Sequence, residues 1–303
     1  MIYVCADDYG MTDVTCTRIE ACAKKGKLNK VSVLPNTEIE DIGSRIRHMG
    51  TSVGIHINLI EGKALSERKK VSILTDENGY FTHSFFGLLL ISLSPKRGKL
   101  KEQVYTEIKS QIKRCRTEII PKGGICIDSH QHTHMIPCIF KTLLRVLHDE
   151  GLKAEYIRIS AEPILPYLLT PSLYITYNPI NLAKQWLLKF LNIFNRKGLK
   201  KSGIKTALFF GVLFSGRMDG SRINKILPKY IRLAERKNRD IEMYFHPGYT
   251  KQGERIFDEN KKSFHRFYIS DNRRLEYDTL MNLNVLENTA KDEGKCNILN
   301  MNV

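Results

Sequence analysis

The sequence predicts a parallel α/β fold, and three observations carry that prediction. Seven short runs rich in β-branched and aromatic residues alternate with stretches of helical periodicity. Glycine or proline punctuates many of the junctions between them. Titratable residues fall at the carboxyl ends of five of the runs, the face on which parallel α/β folds build active sites.

The first run is Ile2–Ala6, followed by a helix from about Asp13 to Lys25 that Gly26 closes. Lys30–Leu34 comes next, then a helix near Glu38–Met49 that ends at Gly50. The third strand, Ser52–Asn58, leads into an irregular stretch with Gly62, Gly79 and Gly87. A connection of that length is expected to cover a site. A helix from about Leu100 to Ile119 precedes the fourth strand, Gly124–Asp128, and Pro137 opens another that runs to about Glu150. The fifth strand is Glu155–Ser160. Residues 161–203 read as irregular, with four prolines ahead of an amphipathic piece at Leu182–Asn195. The sixth strand is Lys205–Gly211, a helix spans about Ser221 to Lys237, the seventh strand is Ile241–Phe245, and a last helix is expected near Leu275–Ala290. Residues 1–290 thus read as one domain with insertions near 60–100 and 161–203, and 291–303 as a C-terminal tail. A doubly wound open sheet is the competing arrangement, but no glycine-rich phosphate loop follows any strand.

Composition narrows the class. With 303 residues, 42% hydrophobic and 9% aromatic, the chain can bury a sizeable core. Its seven cysteines are scattered and never form C-x-x-C, which argues against a disulfide framework or a thiolate zinc site and fits a reducing cytoplasm. Met1–Ala6 is short, lacks a basic lead and is broken by two aspartates, so it does not read as a signal peptide. The net charge is +16, and between Lys184 and Arg239 fifteen Lys/Arg face two acids, Asp219 and Glu235. A solvated helix face is the ordinary explanation; contact with an anionic membrane or a lipid-linked sugar is the other. No nucleic-acid motif accompanies the charge. A homodimer is compatible with everything above.

The polar residues at the strand ends suggest chemistry. Asp7 and Asp8 close the first strand, where two adjacent carboxylates either serve a cation or cap the following turn. His56 ends the third strand; alone, such a histidine is usually a hydrogen-bonded core residue. Asp128, His130, His132 and His134 would share one face if the fourth strand continued. Burying so many imidazoles is costly without a partner, and a divalent cation would satisfy them. Arg158 lies near the end of the fifth strand, and His246 ends the seventh ahead of Pro247-Gly248.

Ala6-Asp7-Asp8-Tyr9-Gly10, Gly54-Ile55-His56-Ile57-Asn58-Leu59, Asp128-Ser129-His130-Gln131-His132-Thr133-His134 and His246-Pro247-Gly248 resemble, in order and spacing, the motifs of the YdjC-like carbohydrate deacetylases. That family includes chitooligosaccharide deacetylases and the hopanoid-biosynthesis-associated type. The insertion at 161–203 and everything after residue 248 lie outside the motifs. The resemblance implies a distorted, seven-stranded (β/α) barrel that removes an N-acetyl group from an amino sugar and releases acetate. It implies one divalent ion, magnesium or zinc, on Asp8, His56 and His130, with Asp7 as base and His246 as a candidate acid. His132 and His134 then support the ligands or touch substrate, with Asp128 and Arg158 beside them. Competing readings are another metal-dependent hydrolase, such as a phosphodiesterase that holds phosphate with the basic segment, and a non-catalytic sugar-binding protein.

Overall fold

A computed structural model describes residues 1–120, 123–258 and 260–286. Seven strands form one sheet: β1 (Ile2–Tyr9), β2 (Lys30–Val33), β3 (Ser52–Ile57), β4 (Ile125–Ser129), β5 (Ala154–Ile157), β6 (Leu208–Phe210) and β7 (Ile241–Phe245). Their order is β5-β4-β3-β2-β1-β7-β6, and every ladder is parallel. Each strand up to β5 lies beside its sequence neighbour, and β7 returns to β1. A parallel bridge between Tyr156 and Lys205 joins β5 to the segment leading into β6, with the Ile157 N–H donating to the Lys205 carbonyl at 3.1 Å. The order is therefore circular, as in a barrel, and not the reversed order of a doubly wound sheet. Closure rests on the entry to β6, so the ladder expected over Lys205–Gly211 shrinks to three residues.

The helices are α1 (Asp13–Lys24), α2 (Ile42–Arg47), α3 (Phe85–Leu93), α4 (Arg97–Arg114), α5 (Pro137–Asp149), α6 (Leu165–Leu168), α7 (Pro179–Ser202), α8 (Gly220–Lys237), α9 (Lys262–Tyr268) and α10 (Asp271–Asn282). Local chemistry sets their ends. Thr12 caps α1 by accepting the Thr15 N–H at 3.2 Å, while Thr15 Oγ1 accepts the Thr12 N–H at 3.0 Å. Pro137 fits the first turn of α5, whose Ile139, Phe140, Leu143, Val146 and Leu147 turn to the core. Asp219 caps α8 through the Arg222 N–H at 3.0 Å.

Both segments expected to be irregular contain helices. Residues 60–100 hold α3, and 161–203 hold α6, a 3₁₀ turn at Pro171–Thr176 and the 24-residue α7. Two helices stand near the end of the described chain where one was expected, and 287–290, like the tail 291–303, lies outside the described residues. Among the described residues no helix is long and apolar enough to cross a membrane.

Candidate metal and catalytic centre

Two local departures from regular backbone aim the acids and histidines of the carboxyl rim. Alternation along β1 would send Asp7 and Asp8 to opposite faces. Instead the β1–β2 register shifts between Ala6 and Tyr9, and Asp8 adopts φ +66°, so both carboxylates are buried against interior partners. The histidine run departs from its expected geometry too. The strand stops at Ser129, and 130–135 coil into a 3₁₀ turn in which Gln131 and His132 have φ of 50° and 60°. The three histidines therefore do not share a face, and each finds a different partner.

His130 and His56 converge on Asp8. Asp8 Oδ1 lies 2.8 Å from His130 Nδ1 and 3.4 Å from His56 Nε2. Each imidazole gives its other nitrogen to a second carboxylate: His56 Nδ1 to Asp128 Oδ1 at 2.7 Å, and His130 Nε2 to Glu61 Oε2 at 3.1 Å. Arg273 holds the far oxygen of Asp8 through two bonds of 3.2 Å. Burial opposes charge on both imidazoles, but Asp128 and Asp7 raise His56 to about 10, and Asp8 and Glu61 raise His130 to about 9. Burial would likewise raise the Asp8 carboxyl, yet His130, His56 and Arg273 hold it well below the usual range.

Asp8, His56 and His130 each offer a ligand atom within 4.8 Å of the others, so these three could hold a metal ion. The donor set fits: one carboxylate and two imidazoles, each ring oriented by an outer carboxylate, is an arrangement that divalent cations favour. Two further groupings meet the same distance, Asp7–His56–Asp128 and Cys5–Asp128–Glu242. Arg158 already occupies them. Its guanidinium donates to both oxygens of Asp7 at 2.6 and 2.9 Å, to Glu242 Oε1 at 3.1 Å and to Cys5 Sγ at 3.3 Å, and forms an ion pair with Asp128 Oδ2 at 2.9 Å. Lys30 reaches Glu242 from the other side at 2.7 Å.

The remaining histidines have separate places. His134 has both nitrogens engaged, with Ser129 Oγ at 2.6 Å and the Arg158 carbonyl at 2.7 Å, and burial pushes it down to about 4. His132 pairs with Ser160 Oγ at 3.0 Å and packs edge-on to Tyr244 and Phe209; burial drives it well below its ordinary value. His246 is half-buried beyond Tyr244, its Nδ1 3.3 Å from Glu276 Oε2. A cleft of about 550 Å³ between the start of α1 and residues 38–41 and 255–257 is lined by none of these groups.

The sequence profile of the YdjC-like protein family matches residues 1–291. This chain belongs to that family. A zebrafish (Danio rerio) relative named carbohydrate deacetylase is 28% identical over 270 residues, covering 83% of this chain and 82% of that protein. A chitooligosaccharide deacetylase from Escherichia fergusonii is 27% identical over 155 residues, half of this chain and 57% of that one. Among solved structures, a candidate cellobiose-phosphate cleavage protein from Enterococcus faecalis V583 superimposes with a TM-score of 0.64 at 19% identity, covering 96% of this chain and 94% of that one. At that identity the likeness speaks for the fold alone.

This YdjC-like chain uses residues that its motifs do not announce. Glu61 closes around His130 and also accepts the Tyr268 hydroxyl at 2.6 Å. An acid three residues beyond Asn58 was a signal that could have been read. Arg273 and Glu276, one turn apart on α10, reach Asp8 and His246 from a polar stretch without pattern. Lys30 and Glu242 stood in sight: charged residues inside β-rich runs, which a curled sheet turns inward.

Proposed function

We propose that this chain is a metal-dependent carbohydrate deacetylase that hydrolyses the N-acetyl group of an acetylated amino sugar or oligosaccharide. The observation that carries the reading is the convergence of Asp8, His56 and His130, with His56 and His130 each oriented by an outer carboxylate. The names of the relatives supply the substrate class.

Asp8, His56 and His130 would hold the ion, and this mixed donor set suits zinc better than magnesium. A divalent ion there supplies Lewis acidity, lowering the pKa of a water toward about 7 and polarising a carbonyl. The protein does the rest. Asp128 and Glu61 fix the imidazoles so that one nitrogen of each faces Asp8. Asp7 takes the proton of the attacking water; Arg158 grips both its oxygens and fixes the carboxylate plane, and with the Cys5 thiol also on Oδ1 it is Oδ2 that keeps a second lone pair to accept. A C–O bond forms at the acetyl carbon and the C–N bond breaks. His246, aimed by Glu276, delivers a proton to the leaving nitrogen, so that acetate and a free amine depart. Because Arg158 fills the other two groupings among the described residues, a single ion is the natural occupancy, which favours this reading over a two-metal phosphodiesterase.

The test is acetate release from a panel of N-acetylated chitooligosaccharides, run beside O-acetylated sugars and a phosphodiester. Acetate from the N-acetylated members alone supports the reading. Phosphodiester cleavage without acetate would replace it.

A further inference from the structure

Helix α7 lies across the carboxyl rim beside the site. The Asn181 amide donates to the carbonyls of Leu213 and Ser215 at 3.3 and 3.1 Å, beyond β6. Gln185 donates to the Glu162 carbonyl at 2.7 Å, beyond β5, and Asn195 to the Met135 carbonyl at 2.9 Å, beyond β4. These bonds fix which face of the helix turns inward. The opposite face is apolar and open: Ile180 is 75% exposed, and Trp186, Phe190, Ile193 and Phe194 are each more than half exposed. A helix with a partner in its own chain would bury such a stripe. The same helix carries six basic residues and no acid, four of them (Arg196, Lys197, Lys200 and Lys201) just past the aromatics.

Helix α3 repeats the pattern. Phe86, Leu90 and Leu93 are 63%, 67% and 77% exposed, and the chain runs directly on into Lys96, Arg97, Lys99 and Lys101. Both helices rest on the 130–135 turn that carries His130, so the two apolar-and-basic patches flank one rim.

We propose that α7 and α3 dock this protein on an anionic lipid surface, bringing the rim of the site to acetylated sugars carried on lipid. The substrate half of this inference rests on the deacetylase reading; the docking half does not. Charge selects the occupant. A second copy would set one acid-free basic helix against another, whereas anionic headgroups neutralise the lysines while the aromatics enter the headgroup–acyl boundary. Trp186, with the Lys189 ammonium 5.3 Å from its ring, is the pairing suited to headgroup depth.

The chain has a single tryptophan, so its emission reports on α7 directly. The full-length protein is mixed at low salt with phosphatidylcholine vesicles with and without phosphatidylglycerol. The expected result is co-sedimentation with the anionic vesicles only, a blue shift of the emission and release by salt. Binding should weaken by about tenfold or more in the double variants Phe190→Ser/Phe194→Ser and Lys197→Glu/Lys200→Glu. Both variants should release acetate from soluble N-acetylated oligosaccharides at the wild-type rate. Protein left in the supernatant, or bound equally by neutral vesicles or by the variants, would overturn the proposal. So would a lipid-free dimer that the same substitutions dissolve. Absence of acetate release with vesicle binding intact would count against the deacetylase reading and leave the docking standing.

Discussion

Each imidazole beside Asp8 divides its hydrogen-bonding capacity between the inner carboxylate and an outer partner. His56 and His130 are alike in this, although Asp128 comes from the next strand and Glu61 from a loop. Outer carboxylates of this kind set ring orientation and ligand basicity. Glu61→Gln should therefore weaken metal binding by about 10–100-fold while leaving the fold intact. Competition with a chromophoric chelator measures this, and unchanged affinity would remove Glu61 from the site. Asp7→Asn addresses a different role. It should cut acetate release by about 10²-fold or more with metal content unchanged; parallel loss of the ion would make Asp7 a ligand and not the base. Asp7, Asp8, His56 and His130 stand out in the sequence as titratable residues at strand ends, and it is the motif resemblance that singles them out from their neighbours. Glu61 is marked only by its place three residues beyond Asn58, and Arg273 and Glu276 could not be assigned from sequence, because their partners lie far away in the chain and only the tertiary fold brings them together.

At the scale of elements, departures from regularity do most of the positioning. The positive φ of Asp8 and the left-handed pair Gln131–His132 re-aim side chains that strand periodicity would have sent elsewhere, and no residue pattern marks such a kink in advance. Helix α3 is hidden from pattern reading for another reason: Phe-Phe-Gly-Leu-Leu-Leu-Ile-Ser-Leu has no polar face, so its periodicity carries no signal. Helix α7 extends beyond the expected Leu182–Asn195 at both ends because those ends rest on single residues, the Asn178 cap and Gly203 at φ +67°. After β6, Gly211 sits at φ +137°, and a Cβ there would meet ring carbons of Tyr244 at 2.6 and 2.7 Å. That ring separates His132 from His246. Gly211→Ala should thus cost about 1–3 kcal/mol, read as a lower denaturant midpoint, and should lower acetate release by displacing Tyr244. Wild-type stability and rate in this variant would show that neither strain nor the ring's position matters.

Across the whole molecule, the alternation of strands and helices was enough to predict a parallel α/β protein, and the motif resemblance implied a barrel. The closure between β5 and the entry to β6 was not legible, since one bridge leaves no pattern. The buried charges within the barrel tie stability to pH. Burial pushes His134 down to about 4 in the folded protein, against about 6.5 in an unfolded chain. Between those values the unfolded state binds a proton that the folded state refuses, so this histidine's contribution is complete above pH 6.5 and fades as pH falls toward 4, by at most about 1.4 kcal/mol per unit. Glu162, pushed up to about 7 by burial, works in the opposite direction, so comparison with a variant isolates the histidine. The gap in urea midpoint between wild type and His134→Gln should narrow as pH drops from 6.5 to 4; a constant gap would deny the depressed pKa. The central claim is that one ion on Asp8, His56 and His130 makes this barrel a deacetylase. Stripping the protein with a chelator and titrating zinc back, while following acetate release and bound metal together, tests it most directly. Activity should vanish and return in proportion to metal, saturating at one ion per chain; full activity in the metal-free protein would contradict the account.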